Sequence, residues 1–256
     1  MKLSIVTPVY NDKRVARALD SILSQQVDAE MELIVIDGGS KDGTLDVLER
    51  YRSRLSVLVS ERDKGIYDAM NKGVALATGD VVGILNADDR YQDDQALAKV
   101  VAAFHDPAVQ ATYGDCVYVD NDNSIVRYWR SGGYHASKWY LGWMPPHPTF
   151  YVRRSLYQQY GSFKTQFPIA ADYELMLRLA RKHKVPFHYI PSILVRMTVG
   201  GESNRSVKNI TRANREVFRA WRENGLAFGF FVPFLKVAQK PLQFLRRPSA
   251  PTSAQK

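Results

Sequence analysis

The sequence predicts an α/β fold: a mostly parallel central sheet flanked by helices, with a small antiparallel subregion and a C-terminal amphipathic helical tail. Three observations carry that expectation. Short β-branched runs alternate with amphipathic helical patterns through the first hundred residues, as in a parallel sheet covered by helices. Acidic residues recur at the carboxyl ends of the predicted strands. The chain has 256 residues, 45% hydrophobic and 24% charged, enough to bury a core and unlike a collagen-like, low-complexity or wholly disordered sequence.

Residues 3–6 read as a buried strand ending at Thr7-Pro8. Asn11 or Asp12 can cap a helix over about 14–26, which places Val15, Ala18, Leu19, Ile22 and Leu23 on one face. A second strand, 33–36, ends at Asp37, and Gly38-Gly39-Ser40 turns into a helix near 43–53. Residues 55–59 give a third strand. A helix over 66–77 stops at Gly79, and the strand 81–85 runs into Asn86-Ala87-Asp88-Asp89. After a helix near 94–104, residues 110–119 and 124–130 predict an antiparallel pair with its turn at 120–123. The stretch 131–151 is rich in Gly, Trp, Tyr and Pro without a period and reads as an ordered loop. A helix over 172–181 and one or two strands over 186–197 follow.

The expected organisation is a catalytic domain over 1–202, its halves divided near 105, then a basic and aromatic tail over 203–247 and a disordered end at 248–256. Net charge is +9, and the tail holds all of it: 203–256 carry 11 Lys and Arg against Glu216 and Glu223, leaving 24 basic and 24 acidic residues before them. Within 207–222, Val207, Ile210, Val217, Phe218 and Trp221 share one helical face and Lys208, Arg212, Arg215, Arg219 and Arg222 another. The apolar run 226–235 is interrupted by Pro233 and is too short to span a bilayer, which takes about 20 apolar residues. An interfacial anchor on an anionic membrane and a helix packed on the body with a solvated basic face are the two readings of this tail. The lone Cys116, in a strand pattern, cannot form an intramolecular disulfide, and the N-terminal apolar stretch is too short for a signal peptide. Both favour a cytoplasmic setting.

In an open parallel sheet, ligands bind beyond the carboxyl ends of the strands. Thr7, Pro8, Tyr10, Asp37, Asp63, Asp88 and Asp89 converge there. Taken singly, Asp37 could serve only to build its turn, and Asp88 or Asp89 only to cap the helix near 94. Adjacent carboxylates after a buried strand can also hold Mg²⁺ or Mn²⁺ on a diphosphate. No Walker A or GxGxxG sequence is present, which argues against an NTPase or a dinucleotide enzyme. The five His residues lack zinc spacing, and only His147, in Pro146-His147-Pro148, falls in a candidate pocket loop.

The segments Thr7-Pro8-Val9-Tyr10-Asn11, Val35-Ile36-Asp37-Gly38-Gly39-Ser40, Asp63-Lys64-Gly65-Ile66-Tyr67-Asp68-Ala69-Met70-Asn71, Ala77-Thr78-Gly79-Asp80 and Leu85-Asn86-Ala87-Asp88-Asp89 resemble the family 2 glycosyltransferases, above all bacterial enzymes of O-antigen and exopolysaccharide assembly. The resemblance is dense over 3–90 and sparser to about 200. It implies a GT-A fold, a nucleotide-sugar donor (a UDP-sugar foremost) and inversion at the anomeric carbon. It places Thr7, Pro8 and Tyr10 in the nucleotide pocket, Asp37 on the base and Asp63 near the base or ribose. The family's Asp-x-Asp segment falls on Asn86-Ala87-Asp88, with Asn86 departing from the pattern, so the implied metal carboxylate is Asp88, with Asp89 beside it. The implied general base is Asp172, in Ile169-Ala170-Ala171-Asp172-Tyr173-Glu174-Leu175, where Ala171 replaces an acidic neighbour; Asp172 could alternatively be only a helix cap.

These features together predict a metal-dependent inverting glycosyltransferase acting on a glycan or polyprenyl-diphosphate-linked acceptor at the inner face of the cell membrane. A sugar nucleotidyltransferase would need a Gly-rich basic loop after the first strand, which Val9-Tyr10-Asn11-Asp12 does not supply. A nucleic-acid-binding tail would leave the acidic crevice unexplained, so no nucleic acid is expected.

Overall fold

A computed structural model describes residues 1–120, 122–199, 207–227 and 232. Parallel strands β1 (Lys2–Val9), β2 (Glu30–Asp37), β3 (Val57–Ser60) and β4 (Val81–Ile84) alternate with helices α1 (Val15–Leu23), α2 (Thr44–Arg50) and α3 (Ile66–Leu76). The short strand β5 (Arg90–Tyr91) and helix α4 (Ala96–Phe104) lead into β6 (Ala111–Val119) and β7 (Ile125–Trp129). Then come β8 (Tyr151–Arg153), α5 (Arg154–Tyr160), α6 (Ala171–Leu177), β9 (Phe187–Thr198) and α7 (Val207–Glu223). One sheet takes the order β3-β2-β1-β4-β8-β6-β9-β5, with β7 paired to β6. It runs without a break through both predicted halves. Strand β8 lies antiparallel between β4 and β6, so β6 and β9 again run with β1 to β4.

The sheet is covered on both faces. One core holds the apolar sides of α1, α2 and α4, including Val15, Leu19, Leu48, Leu97 and Val100. The other holds α3, α5, α6 and α7, including Met70, Leu156, Tyr173 and Trp221. Strands buried on both faces read as unbroken apolar runs, which is why β1 and β2 are so plain in the sequence. Helix α3 lies against β1 closely enough that a Cβ at Gly73 would stand 2.2 Å from Val6 Cγ1.

Three elements differ from the sequence expectation. The stretch read as loop contains 3₁₀ turns at Ala136–Leu141 and His147–Thr149 and leads into β8 and α5. Its order comes from ring contacts: Trp139 meets Trp143 within the loop at 5.5 Å and the distant Tyr173 and Phe187 at 5.7 and 6.4 Å between centroids. Such contacts leave no period in the sequence. The helix expected over 172–181 is α-helical only to Leu177 and continues as a π-turn, Arg178–Lys182. At its N-terminus α1 has no side-chain cap; instead Asp12 accepts from the Arg14 backbone N–H at 3.0 Å, and Asn11, at φ 48°, gives its carbonyl to the N–H of Lys41.

Helix α7 packs on the body. Val217, Ala220 and Trp221 are fully buried, and the Trp221 indole N–H donates to the Tyr173 hydroxyl of α6 at 2.7 Å. Just beyond α7, the Asn224 amide donates to the buried Glu174 carboxylate, which also takes Lys164 Nζ at 2.9 Å and Arg178 Nη2 at 3.2 Å. The predicted apolar face is therefore divided: Val217 and Trp221 face the core, while Ile210 and Phe218 are exposed together with Arg212, Arg215, Arg219 and Arg222. Phe228, Phe230, Phe231, Phe234, Leu235 and Lys236, and the end 248–256, lie outside the described residues. Among the described residues no helix is long and apolar enough to cross a membrane. Cys116 is buried in β6, with its sulfur 3.7 Å from Met197 Sδ, as a packing residue should be.

Candidate active site

The candidate site lies at the carboxyl edge of β1 to β4, where α3 and α6 open toward it. Beyond β1 and β2, Tyr10 is 63% exposed and borders Gly38, and a Cβ at Gly38 would stand 2.4 Å from Asp63 Oδ2 and 3.2 Å from Tyr10 Cδ2. Tyr10, Gly38 and Asp63 thus share one corner, left open because Gly38 has no side chain. Asp63 also accepts from the Gly65 backbone N–H at 2.8 Å, which shapes the turn into α3. The Asp37 carboxylate is fully buried and accepts from the Gly39 and Ser40 N–H groups and the Ser40 and Ser60 hydroxyls. It holds the Gly38–Ser40 turn and ties it to β3.

Thr7 Oγ1 at the end of β1 and Asn86 Oδ1 after β4 are two of six buried side-chain polar atoms that have no hydrogen-bond partner among the described residues. The adjacent acids take different environments. Asp88 is partly exposed, its Oδ2 3.7 Å from Arg14 Nη2, and its backbone carbonyl accepts from the Thr198 hydroxyl at 2.6 Å. Asp89 is 2% exposed and accepts from the Asn86 amide at 3.0 Å. Burial, then the neighbouring Asp88 charge, push the Asp89 carboxyl well above the usual carboxylate range. Neither acid caps α4. Asp93 does the local turn work there, accepting from the Gln95 N–H at 3.0 Å.

Across the crevice, Asp172 occupies the first turn of α6 without capping it. Its Oδ1 accepts from the Tyr67 hydroxyl of α3 at 3.0 Å, and no donor among the described residues takes its Oδ2. The same Tyr67 hydroxyl lies 3.0 Å from the Ile169 carbonyl. Burial, reinforced by the Asp172 charge, pushes the Tyr67 phenol well above its usual range, so it stays a protonated donor at neutral pH. His147 stands edge-on to Phe163 at 5.6 Å, and Phe163 stacks on Tyr67 at 5.7 Å, so all three rings line the approach to Asp172. Burial lowers the His147 pKa, and the Asp172 charge opposes that shift. The loop bearing Phe163 is fixed by the Asn71 side chain, whose amide donates to the Phe163 carbonyl at 2.8 Å while its carbonyl accepts from the Phe163 N–H at 2.9 Å.

The N-terminus of α6 is satisfied from α7. Glu216, 7% exposed, accepts through Oε2 from the backbone N–H groups of Ile169 and Ala170, both at 2.9 Å. A carboxylate so placed satisfies orphan donors and favours the positive end of the helix. Tyr67 is within a segment singled out by sequence, whereas Glu216 gave no local signal.

The sequence model described as "Glycosyl transferase family 2" matches residues 4–167, more than half of the chain. The chain belongs to glycosyltransferase family 2. Among relatives of this family 2 enzyme, a "PGL/p-HBAD biosynthesis glycosyltransferase" of Mycobacterium tuberculosis is 29% identical over 210 residues, 80% of each chain. The fold of this chain matches that of the mannosyltransferase PcManGT of Pyrobaculum calidifontis, solved with GDP-Man and Mn²⁺, at TM-score 0.65 and 22% identity over 94% of this chain and 70% of that one. S. aureus TarS, solved with UDP-GlcNAc, matches at TM-score 0.59 and 20% identity over 85% of this chain and 67% of that one. In a longer TarS structure, 21% identical at TM-score 0.64 over 87% of this chain, the family 2 enzyme spans 39% of the length. The fold is GT-A, and the chain is a transferase.

Proposed function

We propose that the enzyme is an inverting glycosyltransferase that moves a sugar from a nucleoside-diphosphate donor to a glycan or lipid-linked acceptor in bacterial surface polysaccharide synthesis. The observation that carries this reading is the Asp172 carboxylate: Tyr67 holds one oxygen, and the other takes no donor among the described residues. Structural neighbours with UDP-GlcNAc and GDP-Man support a nucleotide-sugar donor, a UDP-sugar foremost.

In this reading Thr7, Pro8, Tyr10 and Asp63 line the nucleotide pocket, and Asp37 supports it by holding the Gly38 turn. Asn86 presents its unpartnered carbonyl to the donor. The residues fit a divalent cation, Mg²⁺ or Mn²⁺, because Asp88 offers a partly exposed carboxylate and such ions take one or two carboxylates, with phosphate and water completing the shell. Asp88 would hold it, and Asp89, turned inward onto Asn86, would orient the loop. When bound, the ion neutralises charge on the leaving diphosphate. Asp172 takes the proton of the acceptor hydroxyl as that oxygen bonds to the anomeric carbon from the face opposite the departing nucleoside diphosphate. Tyr67 fixes the carboxylate for this approach, and His147 lines the acceptor side. Attack from the opposite face inverts the anomeric centre. Proton NMR of the freshly formed linkage should show inversion, and a product with the donor's own configuration would overturn the assignment of Asp172.

The exposed arginines of α7 support peripheral docking on an anionic membrane surface, each contributing about 1 kcal/mol near such a leaflet. Arg212 and Arg219 also pair with Glu216 and Glu223, so Arg215 and Arg222 are the cleaner probes. Replacing both by Gln should weaken binding to anionic liposomes in sedimentation, by about thirtyfold from that per-charge value, and leave neutral liposomes unaffected. Unchanged sedimentation with anionic vesicles would make this face a solvated surface only.

A further inference from the structure

On the α1 side of the Asp88-Asp89 turn, a concavity of about 60 Å³ gathers four arginines, Arg14, Arg17, Arg90 and Arg196. They come from the start of α1, from β5 and from β9, three elements that meet at one end of the sheet. The donor corner at Tyr10, Gly38 and Asp63 and the Asp172 carboxylate lie along β1 to β3 and under α3 and α6.

The positive charges in this concavity are unequally answered. Arg14 is paired, with Nη2 2.6 Å from Asp12 Oδ2 and 3.7 Å from Asp88 Oδ2. For Arg17, Arg90 and Arg196 no carboxylate among the described residues lies within ion-pair distance. Arg90 Nη2 and Arg196 Nη1 both donate to one neutral acceptor, Asn123 Oδ1, the latter at 2.9 Å, and Arg196 Nε donates to Gln92 Oε1 at 2.8 Å. Of the acids that line it, Asp120 accepts from the Asp122 and Ser124 N–H groups at 3.0 and 2.9 Å and Asp89 accepts from Asn86, while Asp88 faces Arg14 at 3.7 Å. Two partly buried guanidiniums converging on an amide oxygen, beside a third, keep unused N–H donors and mutual repulsion. Planar guanidinium forks match the oxygens of a phosphate, which would supply both the missing charge and the missing acceptors.

We propose that this concavity is a phosphate subsite, adjoining the donor diphosphate position at Asp88 but distinct from it, that receives a phosphate group carried by the acceptor. The identity of the carrier rests on the proposed function; the affinity of the pocket for phosphate does not. Phosphate on the acceptor would then be read by Arg17, Arg90 and Arg196 while its sugar hydroxyl is offered to Asp172. The pocket thereby selects phosphorylated or diphosphate-linked acceptors over neutral ones.

The test is calorimetric titration of inorganic phosphate into the full chain at low salt, with and without saturating UDP or GDP. Phosphate should bind equally in both conditions, and Arg90→Gln/Arg196→Gln should weaken it at least tenfold while nucleotide affinity stays within twofold. Arg17→Gln, at an exposed position with no ion pair, guards against a folding defect and should weaken phosphate about threefold. Displacement of phosphate by the nucleotide would make the concavity part of the donor site and overturn the proposal, as would phosphate binding that survives the double substitution. Failure of every nucleotide to bind, with phosphate binding intact, would count against the proposed function and leave the subsite standing.

Discussion

Asp172→Asn should lower turnover by about 10²- to 10⁴-fold and leave donor affinity unchanged, the loss typical of removing a general base without disturbing binding. The amide keeps the shape and can still accept from the Tyr67 hydroxyl, so the first turn of α6 is preserved. A carboxamide cannot take a proton from the acceptor hydroxyl at neutral pH. The helix-cap alternative predicts a different outcome: a modest stability change with normal turnover. The geometry already disfavours it, because Glu216 satisfies the N–H groups of Ile169 and Ala170 while Asp172 sits inside the helix. Turnover by steady-state release of nucleoside diphosphate, with donor affinity by calorimetry, separates the two outcomes.

The second large effect is expected at Asp88. Asp88→Ala should abolish the stimulation of turnover by added Mn²⁺ and, with nucleoside diphosphate present, reduce Mn²⁺ binding seen by electron paramagnetic resonance by at least an order of magnitude. Asp89→Asn should have a smaller effect on Mn²⁺ affinity, because the Asp89 carboxyl is buried and already pushed toward its neutral form. Mn²⁺ binding that survives in Asp88→Ala and disappears in Asp89→Asn would reverse the assignment. The fold should survive Asp88→Ala, since the ion pair with Arg14 is long at 3.7 Å and Arg14 keeps Asp12.

The parallel half of the sheet was legible because each element carries its own signal: β-branched runs for β1, β2 and β4, and a buried 3.6-residue stripe for α1. The short antiparallel pieces were not. Strand β5 has two residues and β8 three, and both owe their conformation to partners far away in sequence: Arg90 pairs with Arg196, and Val82 with Val152. The loop before β8 is ordered by aromatic contacts, such as Trp139 with Tyr173, that have no period to read.

The site divides in the same way. Asp88, Asp89 and Asp172 stand in segments whose residues resemble one family, and the structure sets Asp172 beside Tyr67 and His147 as one cluster. Which of the two adjacent acids faces the crevice is a matter of burial, and only the packing of β6 and β9 around Asp89 decides it. Glu216 was invisible because an acid in a basic amphipathic helix reads as an ordinary surface charge. Its role depends on α7 docking through Trp221, 48 positions from Tyr173. The arginine concavity was likewise hidden, since Arg14, Arg90 and Arg196 meet only once α1, β5 and β9 are assembled.

The most direct measurement is a panel of UDP- and GDP-sugars incubated with the purified enzyme, Mn²⁺ and polyprenyl-diphosphate-linked glycan, reading nucleoside diphosphate release beside Asp172→Asn. The expected result is acceptor-dependent release from one donor, with the variant at least a hundredfold slower by the usual contribution of a general base. Acceptor-dependent release at equal rates in both proteins, or pyrophosphate formation from a nucleoside triphosphate and a sugar phosphate in place of transfer, would contradict it.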